Sequence, residues 1–459
     1  MIQATLSDIA RQLNTVAPTQ PVDFRGISID TRTLSPGNLF VAIRGEQFDG
    51  HQFVREAHQK GAVAALVSQP VDCDLPQLVV KDTILALGDI AKNWRDRFTL
   101  PCIAVTGSNG KTTLKNMIAS ILRAACDDQA DQVLATEGNL NNNIGVPLML
   151  TRLNENHRYL VLEMGMNHFG EIDYLTKLAR PDIAVINNAA EAHLAGLKNV
   201  AGVAKAKGEI FSGLTKNGTA ILNRDDAHFN YWKELIGDHA FLTFGLDHPA
   251  DMSTTYTQKK SLCIKTPKGE MTVELPLPGR HNAANALAAT ACAIAATISL
   301  SAIKTGLEQV KPAKGRMRQY PLPNQVTVID DTYNANPFSL QAAVNTLAAC
   351  AGTKIVVLGD MKELGPDEKT LHYNSGEKIR AAGIDYLFTF GNLSEETTRA
   401  FGKNAWHFTE REALIEALLP YLTENVTVLV KGSRSMQMEK IANRLVPENE
   451  LDKTHERAH

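Results

Sequence analysis

Apolar residues in this chain follow two rhythms. In the first hundred positions, short apolar runs at 27–29, 39–43, 62–67 and 78–80 are separated by turns such as Pro36-Gly37 and Asp49-Gly50. Such runs predict short strands bounded by tight turns. From Leu100 onward, apolar runs alternate with longer segments whose apolar positions recur at helical spacing, as in Leu114-Lys115-Asn116-Met117-Ile118-Ala119-Ser120-Ile121-Leu122. That alternation predicts a parallel sheet with helices on both faces. Strands are expected at 103–105, 159–162, 183–186 and 219–222. The pattern restarts with strands expected at 326–329, 355–358, 386–390 and 426–430, a second doubly wound unit. Between the two, Lys311-Pro312-Ala313-Lys314-Gly315-Arg316, with Pro321 and Pro323, reads as a linker. The expectation is an α/β protein of three domains: a small mixed α/β domain over 1–99, a central parallel-sheet domain over 100–312, and a Rossmann-like domain over 313–459. The tail from Pro447 is charged and reads as frayed.

Composition narrows the function classes. A chain of 459 residues fits about three domains at ~150 residues each. A hydrophobic content of 44% and a charged content of 21% describe an ordinary globular chain. A net charge of −3, with no basic tract carrying interleaved aromatics, argues against a nucleic-acid partner. Six cysteines without a CxxC pair read as buried reduced thiols. The Ala-rich run 283–300 is broken by Asn285, Thr290, Thr297 and Ser299, so it predicts a buried helix and no membrane insertion. The N-terminal stretch lacks a basic segment followed by an apolar core, and a cytoplasmic location is expected.

The chemistry centres on Thr106-Gly107-Ser108-Asn109-Gly110-Lys111-Thr112-Thr113, placed between an apolar strand and a helix. Glycines let backbone N–H groups close on phosphate oxygens, a helix N-terminus adds partial positive charge, and Lys111 adds a full one. Thr112 brings a hydroxyl of the kind that ligates Mg²⁺. The spacing departs from the common loop, which has four residues between its glycines; here only Ser108 and Asn109 intervene.

Other polar clusters fall where parallel strands end, the usual place for a site in such sheets. Glu163 closes an apolar strand, a position from which a carboxylate reaches a metal beside the loop; a solvated strand end is the plainer alternative. His193 follows Asn187-Asn188-Ala189-Ala190-Glu191-Ala192, and a lone histidine is as readily a structural hydrogen-bonder. Lys205 and Lys207 could be a solvated helix face. Asn139, Asn141, Asn142 and Asn143 crowd five positions, either as turn formers or as contacts to a polar substrate. Asn282 and Asn285 share a helix face. Ser28, Thr31 and Arg32, near glycine turns, fit a sugar or diphosphate or merely a surface loop.

Taken together, these segments resemble the Mur ligase family, ATP-dependent amide-forming ligases of peptidoglycan precursor synthesis, over nearly the whole chain and in the right order. The shortened glycine loop is that family's version. Glu163-Met164-Gly165-Met166-Asn167, 139–147, Asp331-Thr332-Tyr333-Asn334-Ala335-Asn336-Pro337, 359–365 and Lys431-Gly432-Ser433-Arg434 resemble the branch that adds D-alanyl-D-alanine to UDP-N-acetylmuramoyl-tripeptide. The Asp-Asn-Pro-Arg motif of the branch adding the third amino acid is absent.

The resemblance implies a P-loop ATPase-like central domain and a first domain that holds the UDP end through Ser28, Thr31 and Arg32. It implies ATP contacts from Gly107, Ser108, Asn109, Gly110, Lys111, Thr112, Thr113, Asn282, Arg316 and Asp331. Asp330 is adjacent, and either aspartate could face the nucleotide. One or two Mg²⁺ ions are expected at Thr112, Glu163, His193 and Lys207, the last as a possible carbamate. Lys111, Glu163, His193 and Lys207 are the expected catalytic set. Asn139, Asn142 and Asn143 are expected at the precursor, and Lys431, Ser433 and Arg434 at the incoming dipeptide. A monomer is expected. Alternatives are another amino-acid-adding member, a folylpolyglutamate-synthase-like ligase, and a nucleotide-switched binding protein.

Overall fold

The protein was analysed as a computed structural model, which describes every residue except 20, 46–47, 128, 258–260 and 448–459. The charged tail from 448 therefore lies outside the described residues.

All five side chains of β1 (Cys102–Thr106) are buried, and successive ones enter opposite cores. Ile103 and Val105 pack with Leu114, Ile118 and Ile121 of α1 (Lys111–Ala124). Cys102 and Ala104 pack with Leu160, Leu162 and, from α2 (Val200–Gly208), Val203 and Ala204. A strand buried on both faces has no solvent side to carry polar residues, so it reads as a continuous apolar run. The first face is closed by α3 (Arg280–Ala295), whose alanines let it lie close to the sheet. This is the buried helix expected from the alanine-rich run, and no described helix is long and apolar enough to cross a membrane.

The central sheet has nine described strands in the order Gly269–Glu274, Ser261–Thr266, Met252–Ser253, Ala240–Gly245, Thr219–Asn223, β3 (Ile183–Ile186), β1, β2 (Tyr159–Glu163) and Val133–Ala135. All pairings from Val133–Ala135 to Met252–Ser253 are parallel, and the last two strands form an antiparallel hairpin. Four of the nine were expected from the sequence. The hairpin strands alternate buried and exposed positions, and the others missed are short or partly exposed, so none presents a continuous apolar run. Because β3, β1 and β2 are neighbours, the three segments leaving their C-terminal ends converge.

The C-terminal sheet runs Arg318–Pro321, β4 (Thr327–Asp331), β5 (Val426–Lys431), Thr353–Gly359, Tyr386–Phe390 and Ala405–Phe408, parallel except for its first strand. Pro321, read as linker, instead closes that antiparallel edge strand, where a missing N–H is tolerated. In the first domain, Ile27–Ser28, Leu39–Val41, Ala64–Val67 and Gln77–Val79 form a parallel sheet. A short antiparallel pair, Gln3–Thr5 with Asp23–Arg25, joins it and was not foreseen. Its core extends to Leu148 beyond the asparagine-rich turn, which ties that turn to the first domain.

Candidate active site

The glycine loop is held by amides. Gly110 adopts a left-handed conformation (φ 78°) immediately before α1, and a Cβ there would lie 2.6 Å from Asn187 Nδ2 and 2.8 Å from Asn285 Oδ1. Only glycine fits both the backbone and the space. Asn109 N–H donates to Asn188 Oδ1 (2.9 Å), while Asn109 O accepts from the side chains of Asn187 (2.9 Å) and Asn188 (3.1 Å). Asn187 Nδ2 also donates to Asn285 Oδ1 (2.8 Å), and Asn285 to Asn282 Oδ1 (3.2 Å). Ser108 Oγ donates to Ala190 O and accepts from Ala190 N–H. Paired buried amides of this kind fix a loop's shape before any ligand arrives.

Glu163, 3% exposed, ends β2 beside the start of α1. Its Oε2 accepts from Thr112 Oγ1 (2.7 Å) and its Oε1 from Asn141 Nδ2 (2.8 Å). Its backbone N–H donates to Thr136 Oγ1, and Lys115, one turn beyond Lys111, donates to Thr136 O (2.7 Å). Lys111 Nζ donates to Gly107 O (2.7 Å). Burial pushes both ammonium groups below the ordinary lysine range, while Glu163 pulls them back up.

Lys207 is 1% exposed, and no carboxylate forms an ion pair with it among the described residues. Burial drives its pKa well below the usual value, and nearby Lys111 adds to the effect. The solvated-face alternative thus fails for Lys207. His193 is left-handed (φ 56°), and its Nδ1 lies 2.9 Å from Glu363 Oε2 of the C-terminal domain. Nδ1 is buried, Glu363 is the acidic group beside it among the described residues, and the imidazole holds the Glu363 carboxyl below its usual range. Among the described residues no three His, Cys, Asp or Glu side chains form a ready cation cage. The donors present, Thr112 Oγ1, the Glu163 carboxylate and the His193 imidazole, fit a hard ion that takes its remaining oxygens from phosphate and water, as Mg²⁺ does.

Lys111, Glu163 and His193 open onto a cavity of about 1450 Å³ between the central and C-terminal domains, above the ~300–1,000 Å³ of a typical ligand site, whereas Gly107, Thr112 and Lys207 do not line it. Ser108, Asn109, Gly110, Lys111, Thr113, Asn142, Asn143, Glu163, His193, Asn282, Arg316, Asp331 and Lys431 all line it. Arg316 stacks over Tyr333, 4.1 Å from the ring centroid. Asp331 faces the cavity and accepts from Lys431 Nζ (2.5 Å), whereas Asp330 turns inward to Thr332, its carboxyl raised by burial. His281 also lines the cavity, and burial lowers its pKa to about 4 despite the pull of Asp331.

Other expected residues lie elsewhere. Asn139 does not line the cavity. Ser28 Oγ donates to Asp30 O, Thr31 is buried, and Arg32 is paired with Asp30 (2.6 Å) on the first domain, away from the cavity. Ser433 is buried and accepts from Lys362 N–H (2.8 Å), and Arg434 pairs with Glu439 (3.0 Å) on the surface. Lys115, Asn187, Asn188, Asn336 and Glu363 stand at the site without having been singled out from the sequence. Lys115 carried a usable signal, four residues after Lys111 and so on the same helix face; the others depend on contacts between distant segments.

Comparison with known proteins follows this geometry. Three family profiles match in order: "Mur ligase family, catalytic domain" over 23–95, "Mur ligase middle domain" over 105–293 and "Mur ligase, glutamate ligase domain" over 315–434. The UDP-N-acetylmuramoyl-tripeptide–D-alanyl-D-alanine ligase of Escherichia coli (strain K12) is 44% identical over 97% of this chain and 99% of its own. Among solved structures, MurF from Acinetobacter baumannii superposes with a TM-score of 0.90 at 34% identity, covering 97% of this chain and 99% of that one. The MurF ligase of Thermotoga maritima in complex with ADP superposes with a TM-score of 0.82 at 27% identity, covering 94% and 98%.

Proposed function

The chain belongs to the Mur ligase family, and from that premise we propose that it joins D-alanyl-D-alanine to UDP-N-acetylmuramoyl-tripeptide, using ATP and releasing ADP and phosphate. The observation that carries the reading is the meeting of Lys111 and Glu163, the latter bonded to Thr112, at a cavity whose opposite wall is the C-terminal domain.

A peptide carboxylate is a poor acylating agent. It becomes reactive by attacking the γ-phosphate of ATP, which gives an acyl phosphate; the dipeptide amine then attacks the acyl carbon and expels phosphate. Lys111 exchanges its bond to Gly107 O for phosphate oxygens, and the loop N–H groups hold the chain of phosphates. Asn282, Arg316 and Asp331 bind the nucleotide from the two domains. Thr112, Glu163, His193 and a carbamylated Lys207 hold one or two Mg²⁺ ions. Bound Mg²⁺ neutralises the repulsion between carboxylate and triphosphate. Carbamylation needs a neutral amine, and the depressed pKa of Lys207 supports it. Loss of a ¹³C-bicarbonate-derived carbamate signal on Lys207→Arg would test this point.

The first domain, about 1–99, binds the UDP end through Ser28, Thr31 and Arg32. The central domain runs to about 312, and its Asn139, Asn142 and Asn143 meet the peptide. The last domain offers Lys431 to the dipeptide from the cavity wall, where it must share its ammonium with Asp331, whereas Ser433 and Arg434 lie off that wall and would meet the dipeptide only if the domain rearranged. The reading includes action as a monomer, for which the placing of all these groups on one chain is compatible support, and a cytoplasmic reaction, where ATP is available.

The test is to incubate the protein with ATP, Mg²⁺, UDP-N-acetylmuramoyl-tripeptide and D-alanyl-D-alanine and weigh the products. The dipeptide-extended mass is expected. Its absence would overturn the reading, as would extension, in parallel incubations, only of a folate by glutamate or of the precursor by a single amino acid.

A further inference from the structure

We propose that Glu363 of the C-terminal domain is the positioning residue for His193, holding the imidazole by Nδ1 so that Nε2 is the nitrogen presented to the metal. The proposal rests on the reading of His193 as a metal-binding side chain.

The pair is 2.9 Å apart, and Nδ1 has no other partner. A carboxylate on one ring nitrogen fixes which nitrogen carries the proton and leaves the lone pair on the other. Both residues are non-glycine and left-handed, His193 at φ 56° and Glu363 at φ 65°, a conformation that side-chain-bearing residues rarely adopt and that clusters at functional sites.

The loop bearing Glu363 is anchored on both sides. Asp360 accepts backbone N–H bonds from Asn392, Leu393 and Ser394, Lys362 N–H donates to Ser433 Oγ, and Leu364 is buried. Glu363 therefore moves with its domain, while its own side chain, 60% exposed, is free to turn onto the N–H. Orientation of His193 is thereby tied to the approach of the C-terminal domain. The arrangement also gives a task to the segment 359–365, which the proposed chemistry does not otherwise use, and Ser433 helps to hold that segment through Lys362 N–H.

The experiment titrates Mn²⁺ by electron paramagnetic resonance into the full-length protein holding β,γ-imido-ATP, without turnover. Glu363→Gln is expected to weaken Mn²⁺ binding by about 10–100-fold. His193→Ala should weaken it as well, and the double variant should be no weaker than His193→Ala alone. Thermal unfolding of Glu363→Gln should match the parent. Glu363→Asp, which withdraws the charge by one methylene, should fall between and provides the same readout if the glutamine variant folds poorly. Unchanged Mn²⁺ affinity in Glu363→Gln beside a weakened His193→Ala overturns the proposal but leaves His193 as a metal residue. Unchanged affinity in His193→Ala overturns both, and additive losses in the double variant overturn the proposal.

Discussion

Asn336 donates its side-chain amide to Asn109 Oδ1 at 2.9 Å, across 227 residues of sequence. Its own oxygen caps α4 (Pro337–Ala348) by accepting from Ser339 N–H. One side chain thus starts a helix of the C-terminal domain and grips the middle of the phosphate loop. Asn336→Asp keeps the cap and loses the donor, so its stability should match the parent while KM for ATP rises. Asn336→Ala should lose both, with about 1 kcal/mol of stability. Denaturant melts and steady-state kinetics read the two effects separately.

Glu163→Gln keeps the volume of a buried side chain and an acceptor for Thr112 while removing the charge. Turnover should fall by about 10²–10³-fold, the scale of losing one preorganised electrostatic group. The unfolding midpoint should scarcely move. A variant that mainly unfolds would assign Glu163 a structural role instead.

Lys207→Met should make the protein more stable at neutral pH in CO₂-free buffer and abolish ligation. The unfolded lysine titrates near ~10.4, and burial puts the folded value well below that. Between the two values the unfolded chain binds more protons, so parental stability rises with pH. The penalty is fully present below the folded pKa and vanishes above the unfolded one. The advantage of the methionine variant should therefore shrink as pH climbs through that window, measured by urea unfolding at several pH values.

Gly110→Ala should abolish ATP binding. The left-handed backbone alone costs a non-glycine residue about 1–2 kcal/mol, and the added methyl meets the Asn187 and Asn285 amides that shape the loop. Titration calorimetry with ATP reads the first effect and denaturation the second. Retained nanomolar-to-micromolar binding would show that the amide relay is not what forms the site.

Arg316 and Asp331 reach the cavity from beyond the 311–315 segment, opposite the phosphate loop. An acyl phosphate must be kept from water, so the C-terminal domain is expected to close further with both substrates, turning about 311–315. X-ray scattering should report a smaller radius of gyration with ATP and UDP-N-acetylmuramoyl-tripeptide than without. Superimposable curves would count against closure.

The α/β class, three sheets and the loop 106–113 were legible because each is local. Doubly buried strands show as apolar runs, and glycine, lysine and hydroxyl at a strand-to-helix junction carry their meaning within eight residues. The antiparallel hairpin at 261–274 was not legible, since a half-exposed strand alternates and lacks a run. Glu163 was found from its place at the end of a strand and was set with Thr112 at an expected metal, but its partner Asn141 was not paired with it, because the sheet order that brings them together is not written in any one segment.

By itself, the sequence determined that a loop of glycine, lysine and hydroxyl residues stands between strand and helix at Gly107–Thr113 and that Glu163, His193 and Asp331 stand at strand ends or just beyond them. Tertiary structure alone decided that Asp331, not Asp330, faces the cavity, that Lys207 is buried without a counter-charge among the described residues, and that Asn336 and Glu363 cross from one domain to the other. The physical reason is range. Backbone propensity and periodicity act over a few residues, whereas burial and charge pairing depend on which distant segments the packed cores bring into contact.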